Sequence, residues 1–148
     1  MDKPKLIQIT NNLIGYHREI SEFYSEYAKS VGMTFSSFVV LSILWKEQDC
    51  TQTTIIKKSF LPKQTVNTII KSFKNLNIIE LLSEAETDKR NKIIKFTKYG
   101  KKYADSIMLK VEEIECHALN KLGIEKAQLL VDIIGQYKNI LKTSESSK

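Results

Sequence analysis

The chain has 148 residues, 42% of them hydrophobic and 27% charged, which is one domain's length with enough apolar side chains for a core and excludes a disordered chain. Five Gly and two Pro exclude collagen-like and linker-like sequences and disfavour a turn-rich all-β fold, so a mainly helical protein is expected. The formal net charge of +6 is concentrated: residues 51–103 hold twelve basic and four acidic side chains, whereas the two flanks together hold eleven basic and thirteen acidic ones.

In chain order, the first element is a long amphipathic helix. Leu6, Ile9, Leu13, Tyr16, Ile20, Phe23 and Tyr27 follow steps of 3, 4, 3, 4, 3 and 4, with Gln8, Asn11, Arg18, Glu22 and Glu26 between them. An apolar repeat averaging about 3.5 residues keeps one seam facing a partner helix. Its start, Met1-Asp2-Lys3-Pro4, lacks the order of a signal peptide, and the longest nearly apolar run, Phe38 to Trp45, is too short to span a bilayer. A cytoplasmic protein without membrane contact is expected.

A second helix, Phe35 to Lys46, is apolar nearly all round (Phe38, Val39, Leu41, Ile43, Leu44, Trp45), as suits a central scaffold. Thr51 is placed to cap a short helix through Lys58, Phe60-Leu61-Pro62 breaks the chain, and a further helix runs from about Lys63 to Asn75. Two helices around a tight break make a helix-turn-helix. In the second of them Val66, Ile69, Ile70, Phe73 and Leu76 form one apolar stripe, leaving Lys63, Gln64, Thr65, Asn67, Thr68, Lys71 and Lys74 to project outward. Lys, Gln and Asn meet base edges in a major groove and Thr meets phosphates or thymine methyls; no acidic residue occurs from Thr51 to Ile79 to oppose them.

The runs Ile78 to Leu82 and Ile93 to Thr97, separated by the polar stretch Ser83 to Lys92, read as a β-hairpin. A helix-turn-helix followed by a basic hairpin is a winged helix, in which the wing reaches a minor groove. Asp88, Lys89, Arg90 and Lys92 form the wing's charged tip, with Arg90 the wedge for a narrow minor groove and Asp88 placed to orient its guanidinium. The 3,4 rhythm then returns at Ala104, Ile107, Val111, Ile114 and Ala118, and again after Gly123 at Ala127, Leu130, Ile134, Tyr137 and Leu141.

The expected architecture is therefore mainly α with a small β-hairpin wing: one domain over residues 1–148, in which a winged helix-turn-helix DNA-binding region, 34–99, is flanked by long dimerisation helices at 5–30 and 100–142. Duplex DNA and a second copy of the chain are the expected partners. The alternative is a winged-helix module that binds protein or RNA; its recognition face would carry exposed aromatics rather than Lys63, Gln64, Asn67 and Lys71.

No enzyme is expected. There is no glycine-rich phosphate loop, no G-x-S-x-G and no H-E-x-x-H, and neither His is paired locally with a Ser or a carboxylate. Two Cys and two His show no metal-ligand spacing, so neither metal nor cofactor is expected. Cys116 and His117 are adjacent and point about 100° apart on a helix, and Cys116 stands among Glu112, Glu113 and Glu115, which disfavours a thiolate.

These residues resemble the MarR-type winged-helix transcriptional regulators over nearly the whole chain. The run Leu76-Asn77-Ile78-Ile79, the wing Asp88-Lys89-Arg90-Asn91-Lys92 and then Ile94-Lys95-Phe96-Thr97-Lys98-Tyr99-Gly100 look like the family's recognition-helix end, D-x-R wing and "LT-x-x-G" entry into a dimerisation helix. Asn77 stands where the family often has Gly, and Leu81 where a basic residue commonly follows the strand start; Asn tolerates a left-handed turn. The resemblance implies a homodimer on a roughly palindromic operator, with repression the expected sign of control. It also implies release by a small, often aromatic ligand in a crevice beside the dimerisation helices, for which Tyr16, His17 and Trp45 are the candidates, or, as in other members, a response to oxidation at a cysteine or to a metal.

Overall fold

The computed structural model describes residues 1–47, 49–82 and 92–145. Helix α1 spans Lys3–Ser30, α2 Phe35–Lys46, α3 Gln52–Ser59, α4 Lys63–Asn75, α5 Lys98–Leu122 and α6 Ile124–Glu145; strands β1 (Cys50–Thr51), β2 (Ile79–Leu82) and β3 (Ile93–Phe96) form one antiparallel sheet in the order β1-β3-β2. This is a mainly helical winged-helix fold. The chain gathers into two compact units, Met1–Ile107 and Met108–Lys148, with the boundary inside α5. No single helix among the described residues is long and apolar enough to cross a membrane.

Local chemistry sets the boundaries. Asp2 accepts from the Lys5 amide at 3.1 Å ahead of Pro4 in the first turn of α1. Thr34 Oγ1 accepts from the Ser37 amide (3.1 Å) to open α2, and Thr51 Oγ1 accepts from the Thr54 amide (3.2 Å) to open α3. Helix α4 follows Pro62, which supplies no side-chain cap. The C-cap of α3 is Phe60, in the left-handed region at φ 56°. For a residue with a bulky side chain that conformation costs roughly 1–2 kcal/mol, which Gly or Asn largely avoids.

In the first unit α2 is the centre: Phe38, Val40, Leu41 and Leu44 are buried, beside Ile55 of α3 and Val66, Ile69, Ile70 and Phe73 of α4. The apolar stripe of α4 thus faces inward, and each of its four buried side chains contributes at most about 1.5–3 kcal/mol. Leu76 departs from the expected stripe. It lies one residue beyond the helix and is exposed, because the chain turns away at Asn77, whose φ is 57°. Tyr24 and Tyr27 of α1 pack their rings on Phe38, and the Tyr27 hydroxyl donates to the Ile107 carbonyl at 2.9 Å.

The hairpin pairs Ile79 with Phe96, Glu80 with Lys95, Leu81 with Ile94 and Leu82 with Ile93. Ile79 and Ile94 are buried, and Glu80 stands opposite Lys95 on the outer face, where Lys95 Nζ lies 3.5 Å from Asp49 Oδ1. The third strand, β1, is not foreseen by the sequence pattern. Its two residues have no periodicity of their own and are strand only because Cys50 and Thr51 pair with Ile94 and Ile93.

The terminal seams fall into two kinds. On α1, Leu6, Ile9, Leu13, Tyr16, Ile20 and Phe23 are exposed on the single chain, as are Leu130, Ile134, Tyr137 and Leu141 of α6. On α5, Ala104, Ile107 and Val111 are buried, and exposure on the repeat begins at Ile114.

Candidate nucleic-acid interface

The outer face of α4 is built by the same periodicity that buries its inner face. At about 100° per residue, Lys63, Asn67, Lys71, Gln64 and Thr68 fall within an arc of roughly 140°, opposite Val66, Ile69, Ile70 and Phe73. Lys63, Gln64, Thr68 and Lys71 are exposed. Thr65 lies roughly 60° beyond the edge of that arc and is half-buried.

Two of these side chains are already engaged. Asn67 is half-buried, and its Oδ1 accepts a hydrogen bond from Gln52 Nε2, which ties α4 to the start of α3. Its amide nitrogen is the group left for an outside acceptor. Gln52 is a positioning residue that sequence reasoning misses, because a contact across fifteen residues leaves no periodic trace. The Thr68 hydroxyl donates to the Gln64 carbonyl at 3.0 Å, so it must rotate before it can donate to a phosphate.

The start of α4 adds charge. Lys57 and Lys58 occupy the last turn of α3 and Lys63 the first residue of α4, with Lys58 ion-paired to Glu47. The expected wing residues Asp88, Lys89 and Arg90 lie outside the described residues. Lys92 precedes β3 and is half-buried.

The joint between α4 and α5 fixes where this face points relative to the rest of the first unit. Thr97 Oγ1 donates to the Asn77 carbonyl at 2.6 Å and accepts from the Gly100 amide at 2.8 Å, and the Thr97 amide donates to the Ile78 carbonyl at 3.1 Å. Gly100 is buried against Ile78, with no room for a side chain. The segment noted in the sequence as "LT-x-x-G" is thus a lock, in which threonine caps α5 and glycine admits the backbone at the end of the α4 turn. Asn77 adopts the left-handed conformation, which Asn tolerates.

A family model described as MarR family matches residues 31–91, from before α2 to beyond β2. Over the whole chain the structure is similar to that of a MarR family regulator from Neisseria meningitidis, with a TM-score of 0.74 and 26% identity, covering 100% of both chains. The chain is similar to MarR family regulators, in sequence over residues 31–91 and in fold throughout. The transcriptional regulator SarZ of Staphylococcus epidermidis is 26% identical over 132 residues, 86% of each chain. The fold is also that of Staphylococcus aureus MarR in complex with salicylate and kanamycin, with a TM-score of 0.75 and 18% identity over 95% of each chain. SarZ is a transcriptional regulator, and both solved structures are of MarR or MarR family proteins.

Of the residues expected to meet an effector, Tyr16 and His17 are exposed on α1, while Trp45 is half-buried and already partnered. Trp45 Nε1 donates to Asp105 Oδ1 at 2.7 Å, Lys101 Nζ lies 2.5 Å from the same oxygen, and Lys101 stands 5.7 Å from the indole centroid. The Lys101 hydrogen bond and then the indole N–H hold the Asp105 carboxyl below its ordinary pKa. A cleft of about 500 Å³ opens nearby, lined by Leu44, Glu47, Asp49, Ile94, Lys95, Phe96 and Lys101. Tyr16, His17 and Trp45 are not among its lining residues.

The cysteines differ. Cys50 is buried in β1, and desolvation, followed by the charge of Glu47, pushes its thiol up to about 11. Cys116 is exposed on α5.

Proposed function

We propose that the chain works in the cytoplasm as a homodimer that binds a pseudo-palindromic DNA operator and represses transcription by occupying it. The observation that carries this reading is the two-sidedness of α4. Its apolar stripe is buried from Val66 to Phe73, while Lys63, Gln64, Thr68 and Lys71 stand exposed with no carboxylate among them. Such a face offers Gln and Asn amides to base edges and lysine ammoniums to phosphates. Asp88, Lys89, Arg90 and Lys92 extend the same reading to the wing, with Arg90 in the minor groove.

Dimerisation is supported by exposed apolar residues on three helices, Ile20 and Phe23 of α1, Ile114 of α5 and Ile134 of α6 among them. Exposed apolar seams of this kind mark an interface. A two-fold dimer presents two recognition helices, and the matching DNA has two half-sites about one helical turn apart.

The effector class that fits is a small aromatic acid, on the precedent of the salicylate held by the S. aureus relative. Tyr16, His17 and Trp45 remain the residues proposed to meet it, with Trp45 acting through its ring face because its N–H is committed to Asp105.

Selection of duplexes from a random-sequence pool, followed by affinity measurement across a salt series, tests the reading. The expected result is a palindromic consensus and a log–log salt slope of about −0.9 per phosphate neutralised. Retention of no duplex at low salt, or a flat salt response, would overturn it.

A further inference from the structure

Phe60 stands apart from every other aromatic residue of the chain. Its side chain is 88% exposed, more than any other large hydrophobic among the described residues except Met1. It also holds the left-handed conformation, at φ 56°, in the turn that joins α3 to α4. Either feature alone is ordinary: single exposed apolar side chains are common, and turns contain left-handed residues. Their combination in phenylalanine is not, since Gly or Asn would satisfy the turn without strain and without exposing a ring.

The ring does nothing for the fold. It joins none of the aromatic pairs among the described residues, and the turn is held by other groups, the Leu61 amide donating to Ser59 Oγ at 3.1 Å and the Val66 amide to the Pro62 carbonyl at 3.1 Å. Those bonds fix the backbone, so the ring projects from a rigid support. Its neighbours in the chain are the exposed Lys57, Lys58, Lys63 and Gln64, the same basic edge that opens the recognition helix. A strained backbone residue kept where a strain-free one would serve indicates a task outside the fold.

We propose that Phe60 is a DNA-contacting residue, placing its ring against apolar surface of the duplex at the groove edge where α4 enters. The apolar surface there is a thymine 5-methyl group or the edge of a deoxyribose. This rests on the proposal that α4 reads duplex DNA, and adds an apolar contact to a face that otherwise offers only polar ones. It also gives a role to an exposed aromatic that adjoins α4, a helix whose own aromatic, Phe73, is buried.

The test uses the full-length protein and a duplex that the wild type selects from a random-sequence pool. F60G and F60N suit a left-handed residue and lack the ring; F60W keeps an aromatic. Both ring-less variants are expected to unfold at or above the wild-type temperature, because strain is relieved and no packing is lost. Their DNA affinity is expected to fall about tenfold with an unchanged salt slope, since an apolar contact releases no counterions, and F60W is expected to stay within about threefold of wild type. Uracil in place of thymine then separates the two surfaces: a loss for wild type and none for F60G assigns the methyl, and equal insensitivity assigns the sugar. Binding of F60G and F60N within about twofold of wild type would overturn the proposal while leaving DNA binding by α4 intact. A wild type that selects no duplex would overturn both.

Discussion

Gly100 lies against Ile78 so closely that a Cβ built on it would press into the Ile78 carbonyl and stand 2.8 Å from the Ile78 Cα. The first turn of α5 and the exit of the recognition helix are therefore packed backbone to backbone. Gly100→Ala must push these two elements apart, and a cost of about 3 kcal/mol is expected, in the range of severe overpacking. Thr97→Val, which loses the cap on the Gly100 amide and the bond to the Asn77 carbonyl, is expected to cost about 1–2 kcal/mol. Chemical denaturation of both variants checks the order; a Gly100→Ala protein as stable as wild type would contradict the packing.

Ile20 is exposed on the single chain, yet it sits in the middle of the α1 seam. Ile20→Lys should therefore leave the helical content of one chain unchanged while weakening self-association at least about tenfold, because a charge is buried only if a partner covers the site. Sedimentation equilibrium reads this directly. A wild type that is monomeric at micromolar concentration would end the dimer proposal.

Cys50 and Cys116 should react differently with a thiol reagent. At pH 8, Cys50 is protonated and enclosed, its thiol being pushed up to about 11, whereas Cys116 is exposed. One fast thiol per native chain is expected, lost in Cys116→Ser, with the second appearing only on unfolding.

Trp45 is the chain's single tryptophan, so its fluorescence reports on the surroundings of one indole, whose N–H donates to Asp105. The Asp105 pKa lies below its ordinary value of 3.8, first through Lys101 and then through the indole N–H. A depressed carboxylate contributes its stabilisation above the unfolded-state pKa and loses it as the pH falls through the folded-state value. The emission should accordingly hold steady from neutral pH down to about 5 and shift with a midpoint below 3.8. Asp105→Asn should abolish that transition, and a midpoint above 3.8 would contradict the contact geometry.

The elements whose boundaries are written in local chemistry are legible in the sequence. The Thr51 cap of α3, the break at Pro62 before α4 and the apolar run of α2 are read from residues within or next to each helix. What is not legible depends on distant partners. Strand β1 exists only through Ile93 and Ile94, Asn67 is held by Gln52, and Trp45 is committed to Asp105 sixty residues later. The α5 repeat looks like those of α1 and α6, yet Ala104, Ile107 and Val111 are buried on the single chain, because a 3,4 pattern states that a face is apolar and not what covers it. The exposed Phe60 carries no periodic signal at all, since it belongs to a turn.

The affinities of Gln64→Ala and Lys71→Ala for a systematic set of operator variants test most directly whether the outer face of α4 reads DNA sequence. Gln64 is expected to pair with a base edge, so its loss should cost about 1–3 kcal/mol on the preferred duplex and relax discrimination at one or two base pairs in each half-site. Lys71 is expected to meet a phosphate, so its loss should lower every affinity alike and reduce the salt slope by about one. If both variants merely scale all affinities by a common factor, α4 does not read bases, and a basic surface without sequence recognition is what remains.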